Sequence, residues 1–198
     1  VLVPYEDVTE LVNEITNLLE DTSQADSLGQ KGAMLVQENF SFNQYIFDLL
    51  ELAGMPQHKV TAIVPNYNYA GYLEQRINSI FNQTYPVFEV IIIDDASTDN
   101  SMQVIEKLIS TSEICCKCVV NERNSGSVFS QWEKGVNLAK GDLVWICEAD
   151  DYADINLLAG LTPFFKDKQT VLAYCQSKQI DENGKIIAHD YLAYTNDV

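Results

Sequence analysis

The chain has 198 residues, 46% of them hydrophobic, enough for one domain of usual size with a real core plus a smaller appendage. Its 12 Lys and Arg against 29 Asp and Glu give a formal charge of −17 at pH 7, which argues against any partner bound mainly through a phosphate backbone, so neither nucleic acid nor an anionic membrane is expected. A nucleotide diphosphate stays open to so acidic a protein only where a divalent cation or local backbone donors offset carboxylate repulsion.

The chain begins with Val1 rather than Met, so a fragment of something longer is expected, and no run approaches the ~20 apolar residues of a membrane span. From Tyr5 to about Ala53 apolar residues recur at helical spacing, among them Val8, Leu11, Ile15, Leu18, Met34, Tyr45 and Leu49, which predicts two or three helices and no strand. Asp21-Thr22-Ser23 and Ser41 are candidate N-caps that divide this segment. Gly54-Met55-Pro56-Gln57-His58 interrupts the pattern, so residues 1–54 read as a helical segment, 55–59 as a linker and 60–198 as the main domain.

Beyond the linker, short β-branched runs alternate with helical stretches, the signature of an α/β fold with a mostly parallel sheet flanked by helices. Strands are predicted over Lys59–Val64, Phe88–Ile93, Ile114–Val120 and Leu143–Cys147, with helices over Ala70–Asn82, Asn100–Ser112 and Ser127–Ala139 between them. A further helix is predicted from Asp154 to about Phe165, then a strand near Val171–Gln176, and Asn183-Gly184 is a two-residue hairpin signal before Lys185–Ala188.

In open α/β sheets ligands bind outside the carboxyl ends of the strands, and here those exits are strongly polar. The first leads into Pro65-Asn66-Tyr67-Asn68, the second into Asp94-Asp95-Ala96-Ser97-Thr98-Asp99, the third into Asn121 to Gly126, and the fourth into Glu148-Ala149-Asp150-Asp151. Ser97, Thr98 and Asp99 read as a turn that caps the next helix, and Asn121 to Gly126 reads equally as a plain loop with backbone freedom at Gly126. Two adjacent carboxylates at Asp94 and Asp95 exceed what capping needs, because like charges repel. Glu148, Asp150 and Asp151 fall within four residues of an apolar run; hard oxygen ligands of that kind suit Mg²⁺ or Mn²⁺ shared with substrate phosphates, and the alternative is a solvated acidic turn.

Val60 to Asn68, Ser79 to Pro86, Glu89 to Asp99, Asn124-Ser125-Gly126, Ala139 to Asp142 and Glu148 to Asp151 occur in an order that resembles the family 2 glycosyltransferases of GT-A fold, over about Lys59 to Asp154. The resemblance implies a GT-A domain, Rossmann-like and truncated at its C-terminus, that transfers a sugar from a nucleotide-diphosphate sugar to an acceptor hydroxyl with inversion and metal assistance. It implies that Pro65 and Tyr67 line the base and ribose pocket together with Asn66 and Asn68, that Asp95 accepts from uracil N3 or its equivalent with Asp94 supporting it, and that Ser97 and Gly126 also belong to the donor site. Asp150 then faces the ribose or sugar, and Asp151 holds the metal with Asp150 and Glu148 beside it.

Two departures stand out: Glu148 holds the first acidic place of the usual D-x-D-D run, and Gln131-Trp132 stands where many relatives carry Arg-Asn. The family's general base lies downstream of the metal motif, so none is assigned up to Val198. The implied partners are a UDP-sugar and a glycan or lipid-linked acceptor in polysaccharide or glycan assembly, in the cytoplasm or peripheral at the inner face of a membrane. Val3-Pro4-Tyr5 through Glu20, then Glu38 to Leu52, resemble the closing helices of a GT-B glycosyltransferase; the alternative is a helical cap or linker.

A non-catalytic nucleotide-binding or scaffold segment of a larger transferase is the competing function. A nucleotidyltransferase expects a Gly-rich basic loop after the first strand, and Asn66-Tyr67-Asn68 supplies none. The odd total of five cysteines, with Cys115, Cys116 and Cys118 alternating faces along one strand, reads as reduced, buried thiols.

Overall fold

The computed structural model describes residues 7–39, 42–55, 57–112, 114–181 and 184–190. Three helices come first: α1 (Val8–Glu20), α2 (Thr22–Asn39) and α3 (Phe42–Leu52). Asp7 caps α1 by accepting from Glu10 N at 2.9 Å, and Asp21 caps α2 by accepting from Gln24 N at 3.0 Å, each satisfying a backbone donor that has no partner within its helix. Ser41, the other candidate cap, lies outside the described residues, as do Val3-Pro4-Tyr5, Pro56 and Asn183. The α1 helix buries no residue, whereas α3 turns Phe47 into the main domain, edge-on to Phe88 at 5.8 Å between ring centroids.

The main domain is a three-layer α/β/α unit. Strands β1 (Val60–Asn66), β2 (Glu89–Asp94), β3 (Cys115–Val120) and β4 (Leu143–Ile146) form one parallel sheet in the order β3-β2-β1-β4. Both faces of β1 and β2 are covered, so their apolar runs are continuous rather than alternating. Along β1, Val60, Ala62 and Val64 pack with Leu73, Ile77 and Ile80 of α4 (Ala70–Phe81) and with Ile105 and Leu108 of α5 (Ser101–Ser110). Ile63 points the other way, joining Ile91, Ile93 and Leu138 under α6 (Val128–Leu138). Pro65 sits in a central strand because it lies beyond the stretch of β1 that pairs with β4.

Two expectations fail in the last third of the domain. The helix read from Asp154 to Phe165 is a short α7 (Leu157–Leu161) running into a 3₁₀ turn (Thr162–Lys166), where Pro163 removes a backbone donor and its ring disfavours a continuing α-helix. No strand forms over Val171–Gln176: Val171, Leu172 and Tyr174 are 91%, 73% and 82% exposed, and no described strand lies beside them to complete a ladder. Instead β5 (Gln179–Ile180) pairs antiparallel with β6 (Ile186–Ala188), the chain passing through Gly184 at φ +78°.

The cysteines form no disulfide among the described residues. Burial pushes the Cys147 thiol up to about 12 and the Cys116 and Cys118 thiols to about 11, the unreactive range. Cys175 departs from the buried reading and is exposed, because it belongs to the stretch that found no strand partner.

Candidate functional site

The carboxyl ends of β1, β2 and β4 and the start of α6 surround a cleft of about 470 Å³. Seven residues singled out from the sequence line it: Pro65, Asn66, Tyr67, Asp95, Gly126, Glu148 and Asp150. Asn68, Asp94, Ser97 and Asp151 do not. Three of these four hold the loops in place. Asn68, at φ +60°, accepts through Oδ1 from Thr98 N at 2.7 Å and Asp99 N at 3.3 Å, locking the β1 exit to the β2 exit. Asp94 is 1% exposed and accepts from Asn66 Nδ2 at 2.7 Å, from Ser97 N at 2.9 Å and from Ser97 Oγ at 2.6 Å.

The adjacent carboxylates thus diverge, Asp94 inward and Asp95 to the cleft. Successive side chains along a strand point to opposite faces, which separates the two at the end of β2, and Ala96, which follows them, turns the chain with a left-handed φ of +60°. Asp95 Oδ1 accepts from Asn121 Nδ2 at 2.6 Å and Ser125 N at 3.0 Å; Oδ2 accepts from Ser125 N at 3.0 Å and Ser125 Oγ at 2.8 Å. Burial opposes its ionisation, but these hydrogen bonds and the Lys134 charge outweigh burial and hold the carboxyl below its ordinary range. Asp95 is therefore a fixed anion, an acceptor without a proton to give.

At the other end of the cleft stands the acidic turn after β4. Glu148 is half-buried, and its Oε1 accepts from Trp132 Nε1 at 2.9 Å. Burial raises its pKa, the Trp132 bond opposes that rise, and the charges of Asp150 and Asp151 add to it. Asp150 and Asp151 are exposed and make no side-chain hydrogen bond to another described residue. Among the described residues no three His, Cys, Asp or Glu side chains converge into an all-protein cage for an ion. One or two free aspartates beside a cleft are nonetheless the sparse set with which Mg²⁺ or Mn²⁺ is held when phosphate oxygens and water complete its shell, so the donor chemistry fits such a cation.

The lining also includes residues to which the sequence assigned no donor or metal role: Tyr69, Asn124, Ser127, Val128, Gln131 and Ala149. Their common signal is position, since all fall at the strand exits or in the first turns of the helices that follow. Gln131 and Trp132 were legible only as departures from a family pattern. Gln131, 3% exposed, donates to Ser125 Oγ at 2.7 Å and accepts from Asn121 Nδ2 at 2.9 Å, while Trp132 serves Glu148.

Residues 61–196 match the model described as Glycosyl transferase family 2, and the chain belongs to that family. It is 31% identical over 133 residues to the chondroitin synthase of Pasteurella multocida strain Pm70 and to the hyaluronan synthase of Pasteurella multocida, each match covering 67% of this chain. The chain spans 14% and 13% of the length of those two relatives. Among solved structures it resembles Staphylococcus aureus TarS in complex with UDP, with a TM-score of 0.52 and 25% identity, over 71% of this chain and 49% of that one. The same protein solved with UDP-GlcNAc matches at a TM-score of 0.52 and 25% identity, over 71% and 48%. The fold is accordingly GT-A, with a helical segment before it. No helix among the described residues is long and apolar enough to cross a membrane.

Proposed function

We propose that the chain forms the donor-binding part of an inverting, metal-assisted glycosyltransferase that moves a sugar from a nucleoside-diphosphate sugar to an acceptor hydroxyl during polysaccharide or glycan synthesis. The observation that carries this reading is one cleft with an acceptor-only carboxylate, Asp95, on one side and the exposed Asp150 on the other, with Pro65 and Tyr67 also in its lining. A pyrimidine base stacks on Tyr67, which is 44% exposed on the cleft wall, while Asp95 accepts from an N–H on the edge of that base. Asp150 would face the ribose or the sugar, and Asp151, its neighbour in the chain, would hold a divalent cation, with Asp150 and Glu148 beside it. The chemistry such a cation would supply when bound is charge neutralisation on the departing diphosphate. UDP is favoured because Asp95 suits an imide N–H; the acceptor is a glycan or a lipid-linked saccharide.

Isothermal titration of UDP and GDP into the 198-residue chain, with and without Mn²⁺, tests the reading. Binding of UDP that strengthens with Mn²⁺, and loses that dependence in Asp151→Ala, is the expected result. Binding indifferent to Mn²⁺ and to Asp151→Ala removes the metal role, and absence of any nucleotide binding removes the donor site.

A further inference from the structure

Gln131 makes no hydrogen bond to Asp95 or to the acidic turn, but bonds both of the residues whose side chains hold Asp95. Each of its amide atoms does a separate task. Oε1 accepts from Asn121 Nδ2 at 2.9 Å, and Nε2 donates to Ser125 Oγ at 2.7 Å. Lys134 Nζ donates to Asn121 Oδ1 at 2.5 Å, so the Asn121 amide is read from both ends: its oxygen faces a cation and its nitrogen faces a carbonyl oxygen. That amide has one orientation, with its remaining N–H on Asp95 Oδ1 at 2.6 Å. The Ser125 hydroxyl, receiving from Gln131, donates to Asp95 Oδ2 at 2.8 Å, shorter than its 3.2 Å contact to Ser127 O.

Three donor groups therefore fill three of the roughly four lone-pair sites of the Asp95 carboxylate and leave about one facing the cleft. Because every neighbour is a donor, the carboxylate stays ionised and cannot turn to offer a hydroxyl. A ring nitrogen that carries hydrogen meets it favourably. A ring nitrogen that carries a lone pair is repelled.

We propose that Gln131 is a positioning residue that sets base specificity: it orients Asn121 and Ser125 so that Asp95 selects a base with an N–H at the edge it reads and rejects one with a bare nitrogen there. The inference rests on the reading of the cleft as a nucleotide site and adds the residue that makes the site selective. Gln131 is 3% exposed and lines the same cleft, so its network is built into the wall.

UDP and CDP test it, since the two nucleotides have nearly the same shape and differ at pyrimidine position 3, where uracil has N–H and cytosine a lone pair, and at the neighbouring exocyclic group. Both are titrated into the chain at constant Mn²⁺, with Gln131→Met, Gln131→Glu and Asp95→Asn as variants and thermal melts as the fold control. The native chain is expected to bind UDP at least about tenfold more tightly than CDP, the size of one hydrogen bond to a charged group. Gln131→Met, which keeps the side-chain volume but drops both hydrogen bonds, brings the UDP to CDP ratio to within about threefold of unity, mainly by weakening UDP. Gln131→Glu, which can no longer donate to Ser125, gives the same narrowing even if Gln131→Met fails to fold. The proposal is overturned if both nucleotides weaken equally, or if the ratio stays at its native value while Asp95→Asn collapses it; that second pattern leaves the donor-site reading intact. A native chain that binds both nucleotides without preference overturns the proposal and leaves the donor site standing, whereas one that binds neither overturns the proposal together with that reading.

Discussion

The Trp132 indole N–H donates to Glu148 Oε1 at 2.9 Å, tying the second turn of α6 to the acidic turn after β4. The preceding residue, Gln131, serves Asp95 at the opposite end of the cleft. Two neighbouring residues of one helix thus wire the two carboxylate stations of the site.

The bond has a measurable strength. Glu148 is half-buried beside two other carboxylates, so losing its one side-chain donor leaves the carboxylate poorly compensated. A double-mutant cycle between Trp132→Phe and Glu148→Ala, read by urea unfolding at neutral pH, is expected to give a coupling of roughly 0.5–1.5 kcal/mol. A coupling of zero would mean that the indole merely fills space there.

Much of the site was legible because chemistry in a parallel sheet gathers at strand exits, and four polar exits could be read off directly. Labour between neighbours was divided only by the family resemblance, not by the residues themselves. Asp94 and Asp95 are the same residue type side by side; strand alternation turns them to opposite faces, but the partners that meet them, Asn66 and Ser97 for one and Asn121 and Ser125 for the other, come from loops brought together by the fold. Asn68 has a structural task that the sequence did not show: its Oδ1 accepts from Thr98 N and Asp99 N across a gap of about thirty residues. Contacts of that range leave no periodic trace. The strand read at Val171–Gln176 fails for a related reason: a strand is stable only with a partner, and propensity alone does not supply one.

Asp95 carries a pH signature. Its pKa lies below the ordinary value of 3.8 because its hydrogen bonds and the Lys134 charge outweigh burial. A carboxyl whose folded-state pKa is depressed stabilises the fold fully above its unfolded pKa, and that contribution is lost as pH falls through the lower folded value. The native chain is therefore expected to be more stable than Asp95→Asn by an amount that is constant from about pH 7 to pH 5 and shrinks below about pH 4. Paired denaturant titrations across that range measure the gap, and a gap that widened on acidification would contradict the assignment.

Gly135 sets how closely α6 approaches the sheet. A Cβ there would overlap Ile63 Cγ2 and come within 2.9 Å of Ile63 Cδ1, and Ile63 is fully buried between Ile91 and Ile93. Gly135→Ala gains helix propensity but must displace a core side chain that has nowhere to go. The overpacking term wins, and the expected net loss is about 1–3 kcal/mol, or a fall in melting temperature of roughly 2–10 °C. Since Gln131 lies one turn away on the same helix, UDP affinity should fall with stability in this variant, whereas Gly71→Ala in α4, where a Cβ meets nothing within 4 Å, should keep UDP affinity and hold or slightly raise stability.

The helix α3 offers a test of where the domain begins. Phe47 is 3% exposed against Phe88, Asn43 Nδ2 donates to Val87 O at 2.5 Å, and Lys59 lies 4.0 Å from Asp48, so α3 shares packing with the strand region, whereas α1 buries no residue. Truncating Phe47 to Ala removes a buried ring and is expected to cost about 3–5 kcal/mol if α3 folds as one unit with the sheet. Both tryptophans, Trp132 and Trp145, lie in the sheet-containing part, so their fluorescence follows that part alone while far-ultraviolet circular dichroism follows every helix. In Phe47→Ala the two signals should shift together to lower urea with a single transition, because the lost packing belongs to one cooperative core. If fluorescence kept its native midpoint while the dichroism lost an early phase, α3 would be a separately melting appendage, and the folding unit would begin at β1.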